Sequence, residues 1–392
     1  MNCWPLRLVN KIDARMKLAL IRAKYHPFGG AERFLNDAVA ALAHCDLEIA
    51  PTLFTREWPA QLETTLAHRI INPRYATSSG RDRGFAQAVC SALSADSFDL
   101  VQSYERLTCC DIYHAVDGVH AEWLRQRHRI SSPIRSFGVA VNPRHRYILA
   151  AERAMFTSPR FKAAICISEM VKNDILRHFK IDPAKLHVIY SGVDTIKFSP
   201  ALRADFFDTT RNKLAIPLDV PVALFVGSGF ERKGLASFLR ALAATKNHYG
   251  IVVGKDKNSA RYQAMAQKLG LQNRVRFTGG VADTRPHYAA SDVFVLPTLY
   301  EPFGLVCLEA MACGVPVITS TSAGAAELIQ AGVNGYVCDA LDVAAIHQAM
   351  EQATAVENHL ALRLAARDTA LRFSLQMMSD QYIALYRQLL KT

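Results

Sequence analysis

The sequence predicts two α/β domains, each built on a doubly wound parallel sheet, facing one another across a cleft. Three observations carry this. The chain of 392 residues is long enough for two ordinary domains. Its apolar runs are short and do not alternate, as a sheet buried on both faces requires. Glycine-containing loops then join those runs to stretches of helical periodicity.

The first unit is the run 18–21, followed by Pro27, Gly29 and Gly30 and by a helical pattern over 31–42. Runs at 100–103 and 163–167, a helix over 169–179, and a run at 188–190 before the turn Ser191-Gly192-Val193-Asp194 complete the first half. After a polar, proline-containing segment over 199–221, strands are expected at 222–226, 250–253, 275–277, 293–296 and 315–318. The organisation expected is an extension over 1–16, domains over 17–198 and 199–374, and a helix over 375–392 crossing back to the first domain. Ligands of open parallel sheets bind beyond the carboxyl ends of the strands, so the loops after Ile21, Val226, Val253 and Leu296 should line the cleft.

Composition narrows the setting. No apolar run approaches the ~20 residues that cross a bilayer, and the first residues lack a signal-peptide stretch. The nine cysteines are scattered without a C-x-x-C pair and read as reduced thiols of a cytosolic protein. For the neighbours Cys109 and Cys110, packing and a vicinal redox pair both stay open. Net charge is +11, and between 125 and 162 Arg125, Arg127, Arg129, Arg135, Arg144, Arg146, Arg153, Arg160 and Lys162 stand against Glu152 alone. Nucleic acid, anionic lipid or a phosphorylated glycan would satisfy that segment, as would plain solvation.

Two motifs sit where strands run into helices. In Gly227-Ser228-Gly229-Phe230-Glu231-Arg232-Lys233-Gly234, backbone N–H groups and two cations favour an anion. Leu235 and Ala236 rule out a Walker loop, and Arg232 stands where a dinucleotide fingerprint needs glycine. A solvated turn is the alternative. In Pro297-Thr298-Leu299-Tyr300-Glu301-Pro302-Phe303-Gly304-Leu305-Val306-Cys307-Leu308-Glu309-Ala310, two carboxylates lie about two helical turns apart, so that both can face the cleft at different heights. The amides of Phe303, Gly304 and Leu305 at the helix start are free to meet hydroxyls or phosphate. Two polar residues around a buried turn would look the same.

The Glu301/Glu309 pair, the following Ala312-Cys313-Gly314-Val315-Pro316-Val317-Ile318, Ala323-Gly324-Ala325-Ala326-Glu327 and Gly332-Val333-Asn334-Gly335 together resemble family 4 of the retaining glycosyltransferases. Lys24-Tyr25-His26-Pro27-Phe28-Gly29-Gly30-Ala31-Glu32-Arg33, Ile167-Ser168-Glu169 and Tyr190 to Asp194 extend the likeness over nearly the whole chain. Within the family it is similar to lipopolysaccharide core glucosyltransferases through Tyr25 to Gly30, Gly227 to Gly234 and Val253-Gly254-Lys255-Asp256-Lys257. The resemblance implies the GT-B fold, two Rossmann-like domains facing a cleft, and a hexose, glucose above all, moved from a UDP-linked donor to a lipopolysaccharide core or other lipid-linked acceptor. It implies that Glu309 binds the donor ribose and that Glu301, with the amides of Phe303, Gly304 and Leu305, holds the donor sugar. Arg232 and Lys233 would clamp the pyrophosphate beside Gly229, Gly29 and Gly30 would approach it from the other domain, and the segment from Gly279 to Asp283 would border the base. Gly280 departs from the glucosyltransferases, which carry a basic residue there. Asp117, in His114-Ala115-Val116-Asp117-Gly118-Val119-His120, falls where the family places a polar residue near the reacting sugar, with His114 and His120 as alternatives.

Positioned cations stabilise a departing diphosphate, so Arg232 and Lys233 serve in place of a metal; no D-x-D triplet occurs, and neither metal nor cofactor is expected. Front-face attack and two-carboxylate double displacement both remain open. The basic segment over 125–162, which interleaves Trp123, Phe137, Tyr147 and Phe156, suits an anionic membrane surface. The expected setting is the inner face of a bacterial cytoplasmic membrane, without a nucleic-acid partner. Another family 4 acceptor, a GT-B epimerase and a non-catalytic membrane-binding protein are the rival readings.

Overall fold

The computed structural model describes residues 16–24, 49–58 and 66–391, apart from the side chains of 134–136 and 140. The first sheet comprises β1 (Met16–Ile21), β2 (Ile49–Thr55), β3 (Ala67–Ile70), β4 (Leu100–Ser103), β5 (Ile112–His114), β6 (Ala163–Cys166) and β7 (Leu186–Val188), in the order β3-β2-β1-β4-β5-β6-β7. Around it lie α1 (Ser78–Ser94), α2 (His120–His128), α3 (Pro133–Val141), α4 (Pro143–Phe156) and α5 (Glu169–His178). After α6 (Leu202–Lys213), the second half alternates β8 (Val222–Val226), α7 (Phe230–Lys233), α8 (Leu235–Ala244), β9 (Tyr249–Val253), α9 (Ser259–Lys268), β10 (Val275–Gly279), α10 (Arg285–Ala289), β11 (Val293–Leu296), α11 (Leu305–Ala312), β12 (Val317–Ser320) and β13 (Gly335–Cys338). Its order is β10-β9-β8-β11-β12-β13, and α12 (Val343–Thr354), α13 (Val356–Leu371) and α14 (Leu375–Leu390) follow. Both sheets are parallel throughout.

The predicted fold class is therefore the observed one, and the packing explains why its strands do not alternate. Ala19 and Ile21 of β1 join the core beneath one face, while Leu18 and Leu20 join a second core on the other. That second core is closed by α14, whose Met378, Tyr382, Ile383, Leu385, Tyr386 and Leu389 pack on Leu18, Leu20, Leu100 and Ile165. The hydroxyl of Tyr386 donates to Gln102 Oε1 at 2.8 Å, tying the end of the chain to β4.

Several expectations change. The segment over 199–221, read as a polar connector, contains α6. Its polarity is structural: Arg211, 1% exposed, pairs with Asp292 at 2.7 Å and donates to the carbonyls of Pro217, Leu218, Val220 and Ala290. Strands β2, β3, β5 and β13 were not anticipated. Pro51 lies within β2, and β3 is exposed along its length and carries His68 and Arg69. The cysteines are not all reduced, since Cys90 of α1 is disulfide-bonded to Cys109 with Cα atoms 5.6 Å apart. Cys110 is separate, its buried thiol donating to the Leu107 carbonyl. The basic segment is less uncompensated than its sequence implies, because carboxylates far along the chain reach it. Arg127 meets Glu231 at 3.8 Å, Arg129 meets Asp339 at 2.7 Å, Arg144 meets Asp82 at 3.2 Å and Arg160 meets Asp111 at 3.4 Å. Among the described residues no helix is long and apolar enough to cross a membrane.

Candidate active site

In the second sheet the strand order reverses between β8 and β11, and both informative motifs leave the carboxyl ends of those two strands. After β8, Gly229 adopts the left-handed conformation at φ +76°, which starts the single turn of α7. Gly234 ends that turn at φ +78°, and a Cβ there would overlap the Pro297 carbonyl oxygen. The loops after β8 and β11 can therefore touch only because position 234 lacks a side chain. The contact is held by Leu299 N–H and the Thr298 hydroxyl, which both donate to the Arg232 carbonyl at 2.8 and 2.9 Å.

This apposition brings Glu301, Arg232 and Lys233 together. Arg232 Nη1 donates to Glu301 Oε2 at 2.7 Å and to the Tyr300 carbonyl at 2.9 Å, and Lys233 Nζ donates to the same Oε2. Burial alone would raise the Glu301 carboxyl, but Lys233 and Arg232 outweigh it and bring it down to about 2. Burial draws Lys233 below the ordinary lysine value against the pull of Glu301. With two cations on one carboxylate, the group is an ionised Glu301 with positive charge to spare, as an incoming diphosphate requires. The backbone of Glu301 is fixed on both sides, its N–H donating to Ser322 O and its carbonyl accepting from Gly324 N–H.

The helix α11 begins at Leu305 behind Gly304 at φ +97°, so the amides of its first turn lie outside its own hydrogen-bond ladder. Phe303 itself is buried. Glu309 is 1% exposed and accepts from the Tyr288 hydroxyl at 2.9 Å. Gly279, at the end of β10, has φ +72° with open space beside it, and Gly280 packs against the stem of Lys255. Gly29 and Gly30 lie outside the described residues.

From the first sheet, Asp117 follows β5 and meets Arg106 at 3.3 Å and Arg22 at 3.9 Å. Burial opposes its ionisation, yet Arg22 and Arg106, joined by Arg232 from the second half, hold it below the usual aspartate value. Asp117 thus feels the charge of the same cation that grips Glu301. The two alternatives have partners of their own. Buried His114, pushed down to about 3 by desolvation, sits beside Tyr382 and Tyr104. His120, also pushed down to about 3 chiefly by burial, is joined to His145 at 3.0 Å.

Sequence reasoning missed the groups that join the halves. The Tyr300 hydroxyl accepts from Val119 N–H at 3.0 Å and donates to Asp174 at 2.9 Å, and the Ser168 hydroxyl donates to the Pro302 carbonyl at 2.8 Å. Glu327 accepts from the first amides of α5, Glu169 N–H and Met170 N–H, and from the Tyr190 hydroxyl. The motif residues Glu169, Tyr190 and Glu327 had signalled the family; their meeting shows that they also hold one half against the other.

Comparison with known proteins agrees with this geometry. Residues 28–197 match the model described as Glycosyltransferase Family 4, and residues 206–367 match Glycosyl transferases group 1. The lipopolysaccharide glucosyltransferase WaaG of Escherichia coli is 28% identical over 80% of this chain and 83% of its own length. The lipopolysaccharide core biosynthesis glycosyltransferase LpsE of Rhizobium meliloti is 38% identical over 45% of this chain and 52% of its own. The crystal structure of WaaG superposes with a TM-score of 0.82 at 24% identity, covering 94% of this chain and 99% of that one. Anabaena HepE in complex with UDP-glucose gives 0.75 at 21% identity over 95% and 100%. These structural likenesses concern the fold.

Proposed function

The chain belongs to the family 4 glycosyltransferases of GT-B fold and is a hexosyltransferase akin to lipopolysaccharide core glucosyltransferases; from that premise we propose that it transfers glucose from UDP-glucose, with retention, to a lipopolysaccharide core or related lipid-linked glycan. The convergence of Arg232 and Lys233 on Glu301 is the observation that carries this reading.

Breaking the bond between the anomeric carbon and the diphosphate oxygen leaves negative charge on that oxygen. Arg232 and Lys233 stabilise it as it develops, in a partly buried site where such charges act more strongly than in water. Glu301, displaced from the cations by the diphosphate, is then free to accept from sugar hydroxyls. A nucleoside diphosphate is a good leaving group and needs no general acid, which agrees with a Glu301 carboxyl held far below neutrality. The acceptor hydroxyl attacks from the face the diphosphate leaves and passes its proton to the departing phosphate oxygen. Asp117, reaching in from the first half, orients the reacting sugar. Glu309 supports the donor through the ribose, and Gly29 and Gly30 approach the diphosphate from the first domain. The reaction is metal-independent because the protein supplies both charges. The likeness to WaaG favours a peripheral protein on the inner face of the cytoplasmic membrane, docked through the basic segment over 125–162 and the exposed Phe137.

Donor hydrolysis measured across UDP-, GDP- and ADP-sugars, with and without chelator, tests the reading. UDP-glucose turnover unaffected by chelator and lost in Glu301→Ala and Lys233→Ala is expected. Equal turnover by Lys233→Ala would sink it.

A further inference from the structure

A second cluster of cations lies at the carboxyl ends of the first sheet. A cavity of about 210 Å³ opens where the chain leaves β1, β2, β4 and β5, bounded by α1 and α4. Among the described residues, six cations and three carboxylates line it, so the described lining carries an excess of positive charge. Asp117 stands on one wall, which makes the cavity continuous with the place where the transferred sugar meets its acceptor.

Three arginines grade from its floor to its mouth. Arg56 is 3% exposed, packs over the Tyr75 ring at 4.9 Å and donates from Nη2 to Asn72 at 2.7 Å. Its Nε finds no acceptor, and among the described residues no carboxylate lies within ion-pair distance of it. A buried guanidinium whose charge no carboxylate meets is costly unless something anionic reaches it. Arg81 and Arg144, whose side chains are 20% and 47% exposed, both lean on Asp82, at 2.8 and 3.2 Å, so one carboxylate is shared by two cations. By contrast, Arg106 is answered by Glu152 as well as Asp117.

On the premise of the transferase reading above, we propose that Arg56, Arg81 and Arg144 form an acceptor subsite for an anionic group, a phosphate or a carboxylate carried by the glycan near the hydroxyl that is glycosylated. The planar guanidinium fork matches either anion in bidentate fashion. A neutral glycan would leave the floor of the cavity uncompensated, so the enzyme selects charged acceptors.

The test uses the full chain, UDP-glucose and a bacterial core oligosaccharide glycolipid in three forms: native, dephosphorylated with hydrogen fluoride, and carboxyl-reduced with carbodiimide and borohydride. Removal of the recognised group raises the acceptor KM by roughly ten- to hundredfold, the range of a charge-assisted contact, with kcat changed far less. The treated form that loses affinity identifies the source. Arg144→Gln and Arg56→Gln raise KM similarly on the native glycolipid and add nothing on the form already stripped of its anion, while Arg144→Lys recovers part of the loss. Arg144 is half-exposed, so its variant keeps the test valid should Arg56→Gln fold poorly. Acceptor KM values within twofold across all three forms and both variants overturn the proposal. Hydrogen exchange over 78–94 and 143–156, slowed by inorganic phosphate in the native protein but not in Arg144→Gln, reads the pocket without turnover. A protein that passes this and hydrolyses no nucleotide-sugar keeps the subsite and loses the transferase reading, whereas the reverse pattern does the opposite.

Discussion

Replacing Glu301 by Gln should destabilise the unliganded protein, and a nucleotide should return much of the loss. The carboxyl stands at about 2 in place of its ordinary 4.5, and its side chain is 14% exposed. Converting that depression gives about 3 kcal/mol of preferential stabilisation of the ionised form, at 1.36 kcal/mol per unit. Because the folded-state value is lowered, this contribution is complete above about 4.5 and disappears as pH falls toward about 2. At neutral pH, Glu301→Gln removes the counter-charge and strands Lys233, itself 8% exposed, beside Arg232. The expected loss is about 3 kcal/mol, the scale at which breaking a buried ion pair is felt. Urea unfolding followed by fluorescence reads it as a lower midpoint. Adding UDP supplies the missing negative charge, so the variant gains more stability from the nucleotide than the native protein does. Glu301→Gln combined with Lys233→Met removes both charges and regains most of the loss. A single-variant loss under about 1 kcal/mol, or a double variant no better than the single, refutes the reasoning.

Tyr300→Phe leaves Val119 N–H without its acceptor and Asp174 with Arg177 alone, so a stability loss of about 1–3 kcal/mol and faster amide exchange at Val119 are expected; unchanged exchange there contradicts the contact. Gly234→Ala adds left-handed strain of about 1–2 kcal/mol to an overlap with the Pro297 carbonyl, and calorimetry should find nucleotide binding weakened by more than the stability change explains. Truncation after Phe373 uncovers Leu18, Leu20 and Leu100, and the loss of six buried side chains at roughly 1.5–3 kcal/mol each exceeds what a domain holds in reserve; a soluble monomer in gel filtration would count against it. A non-reducing peptide map should recover Cys90 joined to Cys109, and free thiols at both positions would remove that staple from the structure.

What was legible in the sequence was local. The glycine loops and unalternating runs report backbone geometry within a few residues, which is why β8, β11 and the cluster of Arg232, Lys233 and Glu301 were foreseen. The partners of those groups were not. Tyr300 finds Asp174 126 positions away, and Ala23 N–H finds Glu105 82 positions away, distances at which no periodicity gives a signal. Arg56 looks like any surface arginine in sequence, and only the fold buries it in a charged cavity. The same blindness exaggerated the basic segment, because Asp82, Glu231 and Asp339 answer its arginines from outside the window in which charges were counted. Strand β2 escaped because Pro51 argues against a central strand, yet it pairs on both sides.

The loop after β11 also ties the two halves to one another. Here Tyr300 is held by Val119 and Asp174 and Pro302 by Ser168, all of the first half, while Glu301 between them is held by Arg232 and Lys233 of the second. A rotation that separates the halves must break the bonds at 300 and 302 or drag Glu301 off its cations. The position of the Glu301 carboxylate is therefore tied to the contacts between the halves, because Glu301 is flanked on both sides by residues that make them.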